Sequence, residues 1–436
     1  MKFRNLNVLV YGLSVSGEWA SKLLIKKHAN VFLYDDNIEV LKSKTIKNCF
    51  MLNSLNENLI EQFDLIIVSP SIPLDNEFLL KASEKNITIM SEVEFASLFC
   101  KNYVAITGTN GKTTTTELVT EILKMKKKAV ACGNIGYPLS RAVMEKKNYI
   151  KVVEVSSFML EHANKFSPHV ATVLNIEPDH LIRHKTMENY SRLKLSIFKN
   201  LKPNDYAVIN LDDNVHVTSD TLKVTYSLKH TADVYLKEGY IYLHEHKIVA
   251  VNELNLTGKH NIANVMCAIC FGYIYKITPE QIRKALINYV PEHFRIEEVG
   301  VINKIRFIND SKSTNIASTL ASVEAVKGAI ILILGGSNKM LDYTDLFIKL
   351  NKRVKYVVFY GEIKDKLEEA NNDRFDYSKC ENLTDAFNTA ISHAIPNDNI
   401  LLSPATASYD QYSNYIERGK HFNELVNGYE TECTKK

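Results

Sequence analysis

The sequence has no excess charge of either sign, no paired cysteine framework, no long apolar run and no repeats. Each absence removes a class of function. Lys and Arg number 53 against 50 Asp and Glu, a net of +3 dispersed over 436 residues. A nucleic-acid protein carries a basic excess or stripe, and the one basic run, Lys124 to Lys128, reads more simply as a helix end. The seven cysteines are scattered, and the single C-x-x-C, Cys267 to Cys270, has no second Cys or His pair at zinc spacing. Buried thiols in a reducing compartment are expected. The apolar run near the N-terminus is short and leads into Gly12 and Ser14, as a first strand does and a signal peptide does not. No stretch approaches the roughly 18 apolar residues of a membrane span. These readings predict a cytoplasmic protein with no nucleic-acid partner and no stable membrane association.

What is present is ordinary globular composition, 45% apolar and 24% charged. At roughly 150 residues per domain the chain has room for about three. Apolar runs of strand length alternate with helical patterns almost throughout, the mark of α/β architecture. One series runs from NVLVYG to ITIMSE and a second from YVAITG to DYAVINLDD. Short alternating runs follow, VTYSL, DVYLKEGYIYL and HKIVAVNEL, which read as a small antiparallel sheet. A third series spans RIEEV to NILLSPA. The expected division is 1–95, a Rossmann-like domain; 96–292, a central P-loop-type domain with the small sheet; and 293–436, a second Rossmann-like domain.

The clearest chemical signal is ITGTNGKTTTTEL. A strand runs into Gly108, Thr109, Asn110, Gly111, Lys112, Thr113 and Thr114, and a helix opens at once. Glycines let backbone N–H groups turn onto phosphate oxygens, and the helix N-terminus adds its positive dipole end. Lys112 supplies a charge to the outer phosphates and Thr113 a hydroxyl for Mg²⁺. The strict P-loop has glycine where this chain has Ile106, so the loop is a shortened variant. The neighbouring strands also end in polar groups: Asn134, Glu154 with Ser156 and Ser157, and Glu177, Asp179 and His180. C-terminal strand ends form the ligand crevice of open α/β sheets, and a hard carboxylate such as Glu154 suits Mg²⁺.

Two further regions are less specific. Gly12 to Gly17 resembles a dinucleotide fingerprint with Asp35 and Asp36 at the next strand end. Ser14, however, replaces the middle glycine, which favours some other diphosphate over NAD. In the third series, Asn309–Asn315, Leu334–Lys339 and Ser403–Asp410 all follow strands and are rich in donors. Turn chemistry and helix caps explain each one singly; their recurrence along one sheet edge favours a second binding face.

Taken in order, GLSVSG, VSPSIP, AITGTNGKTTTTEL, CGNIGYPL, EVSSFMLE, LNIEPDHL, YSRLKLSIF, GKHNIANV, FRIEEV, INDSKSTN, LGGSNK and LLSPATASYDQY resemble the motifs of the Mur ligases. These are ATP-dependent amide-forming enzymes of peptidoglycan precursor synthesis, and the likeness covers nearly the whole chain. Within the family it points to the branch that adds D-glutamate to UDP-N-acetylmuramoyl-L-alanine through an acyl phosphate. The resemblance implies ATP and two Mg²⁺ sites, and a monomer is expected. Lys112, Lys194, His180 and Glu154 match catalytic positions. Gly108 to Thr114, Asn261, Asn264, Arg295 and Asp310 match nucleotide contacts. Thr113 and Glu154 match the first metal site, and His180 with Lys194, carbamylated in the family, the second. Ser14, Val15, Ser16, Asp35, Ser69 and Asn134 match the UDP-sugar side. Lys312, Thr314, Lys339, Ser408, Tyr409 and Tyr415 match the D-glutamate side. The chain departs from the family pattern at Met159 (usually Gln), Ser71 (usually Gly), Asn338 (usually Asp) and Phe294, which separates His293 from Arg295. A nicotinamide oxidoreductase is disfavoured by Ser14 and by the stronger P-loop. A mere binding module has no need of Lys112, Glu154, His180 and Lys194 together.

Overall fold

The computed structural model describes residues 2–213, 215, 217, 219–256, 258–291, 294–339 and 341–434, with only the backbone of residue 434. Among the described residues the strands form three sheets. The first is parallel: β1 (Asn7–Tyr11), β2 (Asn30–Tyr34), β3 (Phe50–Met51), β4 (Leu65–Val68) and β5 (Thr88–Ser91), in the order β3-β2-β1-β4-β5. The chain reverses its winding at β1, so the turn after that strand opens at a switch point where ligands of α/β sheets bind. Val8, Leu9 and Val10 of β1 are fully buried, as a strand covered on both faces requires, and this is why NVLVY reads as an unbroken apolar run.

The second sheet contains β6 (Tyr103–Thr107), β7 (Ala129–Gly133), β8 (Ile150–Glu154), β9 (Val170–Val173), β10 (Tyr206–Asn210), β11 (Leu222–Ser227), β12 (Val234–Lys237), β13 (Tyr240–Leu243) and β14 (His246–Ala250). Its order is β14-β13-β12-β11-β10-β9-β6-β8-β7. Strand β11 pairs parallel to β10, with Val208 beside Val224, and only β12 to β14 pair antiparallel. The alternating runs therefore extend the central sheet instead of forming one of their own. Alternation reports a half-buried strand but not the direction of its neighbour.

By the density of its contacts the chain divides into two compact units, residues 1–254 with 263–289, and residues 255–262 with 290–436. The first two sheets share a unit because their apolar interiors are continuous: Val8, Val10 and Leu24 belong to the same cluster as Phe95, Ala105 and Val153. The short helix Glu92–Ser97, buried along its whole length, is the middle of that join.

The second unit holds β15 (Glu297–Ile302), β16 (Ile305–Asn309), β17 (Ile330–Gly335), β18 (Val354–Tyr360), β19 (Tyr377–Cys380) and β20 (Asn399–Leu402), in the order β15-β16-β20-β17-β18-β19. Only β15 is antiparallel to its neighbour. Along β17 the residues Ile330, Leu332 and Leu334 enter one apolar layer and Ile331 and Ile333 the other, the period of two that a strand imposes. The expected boundary at 292/293 falls on Glu292 and His293, which lie outside the described residues. No described helix is long and apolar enough to cross a membrane.

Glu92 sits in the join with 1% exposure. Its Oε1 accepts the Ser140 N–H at 2.6 Å, and its Oε2 has no hydrogen-bond partner. Burial pushes this carboxyl up from 4.5 to about 7. A raised carboxyl pKa contributes stability that is complete below the unfolded value and lost as pH rises through the folded one. Glu92→Gln keeps the neutral form at every pH. Its stability advantage over the wild type in urea unfolding should therefore grow by on the order of 2 kcal/mol between pH 5 and pH 8. A difference independent of pH would mean that the carboxylate is hydrated in the folded protein.

Candidate active site

The residues of the phosphate-loop motif sit at the end of β6, which is buried throughout. Gly111, with φ +81°, caps the helix Lys112–Lys124, and a glycine is required there. A Cβ would lie 2.4 Å from Asn264 Oδ1, and its backbone is in the left-handed region. The rest of the loop is braced by its neighbours. The Asn110 N–H donates to Asn175 Oδ1 at 2.8 Å, and Asn175 Nδ2 returns a bond to the Asn110 carbonyl at 3.2 Å. The Thr109 hydroxyl donates to the Glu177 carbonyl at 3.1 Å and lies 3.1 Å from the Tyr190 hydroxyl.

Two lysines meet the loop's inward carbonyls. Lys112 Nζ donates to Gly108 at 2.9 Å and to Thr109 at 2.7 Å, and Lys194 Nζ donates to the same Gly108 carbonyl at 2.8 Å. Lys194 is 1% exposed. Desolvation, then the charge of Lys112, pulls its amine down from 10.5 to about 6, with Asp179 opposing. Lys194 Nζ also stands 4.6 Å from the centre of the Tyr190 ring, one turn back on helix Met187–Leu195.

Glu154 ends β8 with 2% exposure. Its Oε1 accepts from Asn134 Nδ2 at 2.9 Å, and its buried Oε2 has no partner. His180 is itself the left-handed residue, φ +55°, at the head of the helical turn Leu181–His184, with its ring 4.8 Å from Phe158 and Nε2 3.5 Å from Asp179 Oδ2. The ring of His184 also lies 5.3 Å from Phe158. The Ser157 hydroxyl lies 2.9 Å from His184 Nε2, and burial draws that imidazole down to about 4. Glu154, His180, Lys194 and Lys112 thus stand at the C-terminal ends of β6, β8 and β9 or on the elements that follow. Thr113 and the buried Thr114 open the helix beyond them.

In the second unit the segments after β16, β17 and β20 come together. Asp310 is buried, accepting the Ile296 N–H at 3.2 Å and the Ser403 hydroxyl at 2.7 Å, and burial raises its pKa. Arg295 contributes an opposing attraction. Lys339 Nζ donates to the Thr314 carbonyl at 3.0 Å, and Lys312 Nζ lies 5.5 Å from the centre of the Tyr415 ring. Ser408 is buried whereas Tyr409 is 74% exposed, so the two neighbours face opposite environments. Asn261 is buried near the start of helix Lys259–Ile274.

Known proteins match this arrangement along its length. Residues 6–91 match the Mur ligase MurD-like N-terminal domain, 106–272 the Mur ligase middle domain, and 294–406 the Mur ligase glutamate ligase domain. A protein of Thermoanaerobacter sp. (strain X514), named UDP-N-acetylmuramoylalanine–D-glutamate ligase, is 36% identical over 98% of this chain and 99% of its own. The chain belongs to the Mur ligase family.

Solved Mur ligase relatives share the fold at low identity. A pseudomurein peptide ligase type C from Methanothermus fervidus superposes with a TM-score of 0.63 at 18% identity, covering 98% of this chain and 100% of that one. MurF ligase from Thermotoga maritima, solved in complex with ADP, gives 0.63 at 16% identity over 100% of this chain and 96% of its own.

Mur ligases are ATP-dependent, and in this member Asp35 is engaged by the backbone of the N-terminal turn. Asp35 accepts the N–H groups of Leu13 at 2.6 Å and Asn37 at 2.9 Å, so its carboxylate holds the turn's backbone. The hydroxyls of Ser16, Ser14, Ser69 and Ser71 form a chain with spacings of 3.1–3.2 Å, and Val15 is exposed beside them. Ser71, the residue in place of the usual glycine, is thus part of the hydroxyl chain. Met159, in place of the usual glutamine, is buried. Phe294 packs its ring where a Cβ on Gly419 would stand, 2.4 Å away.

Sequence reasoning passed over Asn175, His184 and Arg183, although all three lie within or beside a quoted motif. Arg183 donates to the carbonyls of Pro70 at 3.3 Å, Ser71 at 3.2 Å and Ile72 at 2.7 Å, and pairs with the Glu161 carboxylate. It therefore ties the serine loop of the first sheet to the turn that carries His180. The signal was its position three residues after His180, but its acceptors are backbone atoms more than a hundred residues away.

Gly111→Ala should destabilise the protein by on the order of 2 kcal/mol, combining left-handed strain with displacement of Asn264. Urea unfolding checks this, and a variant as stable as the wild type would show that Asn264 yields without cost.

Proposed function

We propose that the chain joins D-glutamate to UDP-N-acetylmuramoyl-L-alanine, using ATP to make the acceptor carboxylate an acyl phosphate and releasing ADP and phosphate. The observation that carries the reading is the convergence of Lys112 and buried Lys194 on the Gly108 carbonyl, beside a Glu154 oxygen with no partner. A plain nucleotide-binding turn has no use for a second lysine buried beneath it. The full-length relatives of the same name and the glutamate ligase domain support the substrate assignment.

A carboxylate resists attack by an amine because oxide is a poor leaving group; phosphorylation supplies a good one. In this reading the loop from Gly108 to Thr114 binds the phosphates of ATP through the N–H groups at the head of its helix, with Asn261, Asn264, Arg295 and Asp310 completing the nucleotide contacts. Lys112 neutralises charge on the transferring phosphoryl group. The donor set fits Mg²⁺, which takes one or two protein carboxylates and fills its shell with water and phosphate oxygens. Among the described residues no three His, Cys, Asp or Glu side chains gather as a metal cage. Thr113 and Glu154 would hold one ion, and His180 with Lys194 as a carbamate a second. When bound, these ions supply positive charge to the phosphoryl oxygens. The neutral Lys194 amine adds to CO₂, forming an N–C bond and releasing one proton, so a group that would repel cations becomes an anion.

The serine chain of Ser14, Ser16 and Ser69, with Val15, Asp35 and Asn134, takes the UDP-sugar. Lys312, Thr314, Lys339, Ser408, Tyr409 and Tyr415 take D-glutamate and orient its amine. We also place the enzyme in the cytoplasm, where its nucleotide substrates are made, and expect it to act as a monomer.

Phosphate release by the purified protein should require ATP, Mg²⁺, UDP-N-acetylmuramoyl-L-alanine and D-glutamate together. In an amino-acid panel, release with another amino acid exceeding that with D-glutamate would overturn the substrate assignment. For Lys194→Ala the expectation is loss of most activity, on the order of a hundredfold or more, with the fold retained. Acetate should restore part of it by placing a carboxylate in the vacated space. Full activity in that variant removes Lys194 from the reaction; a dead variant that acetate does not rescue, with no carbamate signal in ¹³C NMR of the wild type, removes the carbamate.

A further inference from the structure

Arg418 is the bulkiest of the fully buried side chains, at 0% exposure. Its guanidinium has five N–H donors, and all are spent. Nε donates to the Ser311 hydroxyl at 3.0 Å, and Nη2 to the carbonyls of Ser311 at 2.9 Å and Thr406 at 3.1 Å. Nη1 donates to the carbonyls of Gly335 at 3.4 Å and Ala407 at 3.3 Å. These acceptors lie at the last residue of β17 and on the segments that follow β16 and β20, the points from which all three loops depart. Those loops also carry Lys312, Lys339 and Ser408. The fit is tight: a Cβ on Gly336 would stand 3.0 Å from Nη1 and 2.2 Å from the Ala407 carbonyl oxygen.

Every one of those acceptors is uncharged. Among the described residues no carboxylate stands within ion-pairing distance of Arg418, in contrast to Arg183, whose partner is Glu161. Burying a charge without a counter-charge is costly, and an apolar side chain of similar length would avoid the cost. The arrangement is intelligible if the counter-charge arrives with a ligand. Because no donor is left over, the guanidinium cannot touch that ligand, and its influence must pass through the loops and the field.

Resting on the ligase reading above, we propose that Arg418 is the positioning residue of the amino-acid site. It fixes the three loops in register and provides a positive charge close to them that selects an amino acid with two carboxylates over one with a single carboxylate. Lysine cannot replace it, since an ammonium has three donors and no planar fork. Removing the charge should weaken binding of the dicarboxylate more than that of its side-chain amide, whereas a loss of general stability would not change their ratio.

The experiment compares wild type, Arg418→Met and Arg418→Lys in steady-state phosphate release, with D-glutamate and D-glutamine as alternative amino acids. Arg418→Met should raise the KM for D-glutamate by about 10- to 100-fold and reduce the preference for D-glutamate over D-glutamine. The KM values for ATP and the UDP-sugar should stay within about twofold. Arg418→Lys should keep the preference, because it keeps the charge, yet still raise the KM. Unchanged KM and preference in both variants would falsify the proposal, as would equal rises for all three substrates. If Arg418→Met does not fold, Arg418→Lys decides: a raised KM with preserved preference supports the role, and wild-type values refute it. A wild type that uses another amino acid but not D-glutamate refutes the substrate assignment instead, and the same comparison on the accepted amino acid and its amide then judges Arg418.

Discussion

The carbonyl of Gly108 accepts from two lysines, and much of the first unit follows from that one requirement. A loop that turns its amide groups outward toward phosphate must turn carbonyls inward, and inward carbonyls need donors. Lys112 meets this from the loop's own helix and Lys194 from a helix more than eighty residues later. Burial, reinforced by the charge of Lys112 on the same oxygen, draws the Lys194 amine down to about 6. The neutral amine that carbamate chemistry needs is thus a by-product of how the loop is held. Tyr190, His184 and Phe158 then fill the space between Lys194 and His180 with rings at 4.6–5.3 Å, so the lysine and the histidine are carried by one packed cluster.

Buried Arg418 and half-buried Arg183 divide along the same logic. Arg183 is neutralised by Glu161 and works as a strap between the serine loop of the first sheet and the His180 turn. The continuous core through helix Glu92–Ser97 makes that strap useful, because both ends belong to one body. Arg418 has no such partner and holds its loops by carbonyls alone. A paired charge braces; an unpaired one braces and leaves a field.

Sequence determined the classes of element and the chemistry of the loops. Apolar runs such as NVLVY and IILILG, alternating with helical patterns, read as strands of an α/β fold, and the glycines before Lys112 as a turn into a helix, because both are local consequences of side-chain size and backbone freedom. The ordered motifs carried the family. What stayed hidden depends on partners distant in the chain. The alternation in β11 to β14 was legible, but not that β11 runs parallel to β10. Asp35 looked like a ribose acid, and only the fold brings the Leu13 amide onto it. Lys194 was legible as an important lysine and Arg418 not at all. An amine's proton affinity and a guanidinium's burial are set by what surrounds them, and those surroundings come from Gly108, Ser311, Gly335 and Thr406, residues that only the folded chain brings to Lys194 and Arg418.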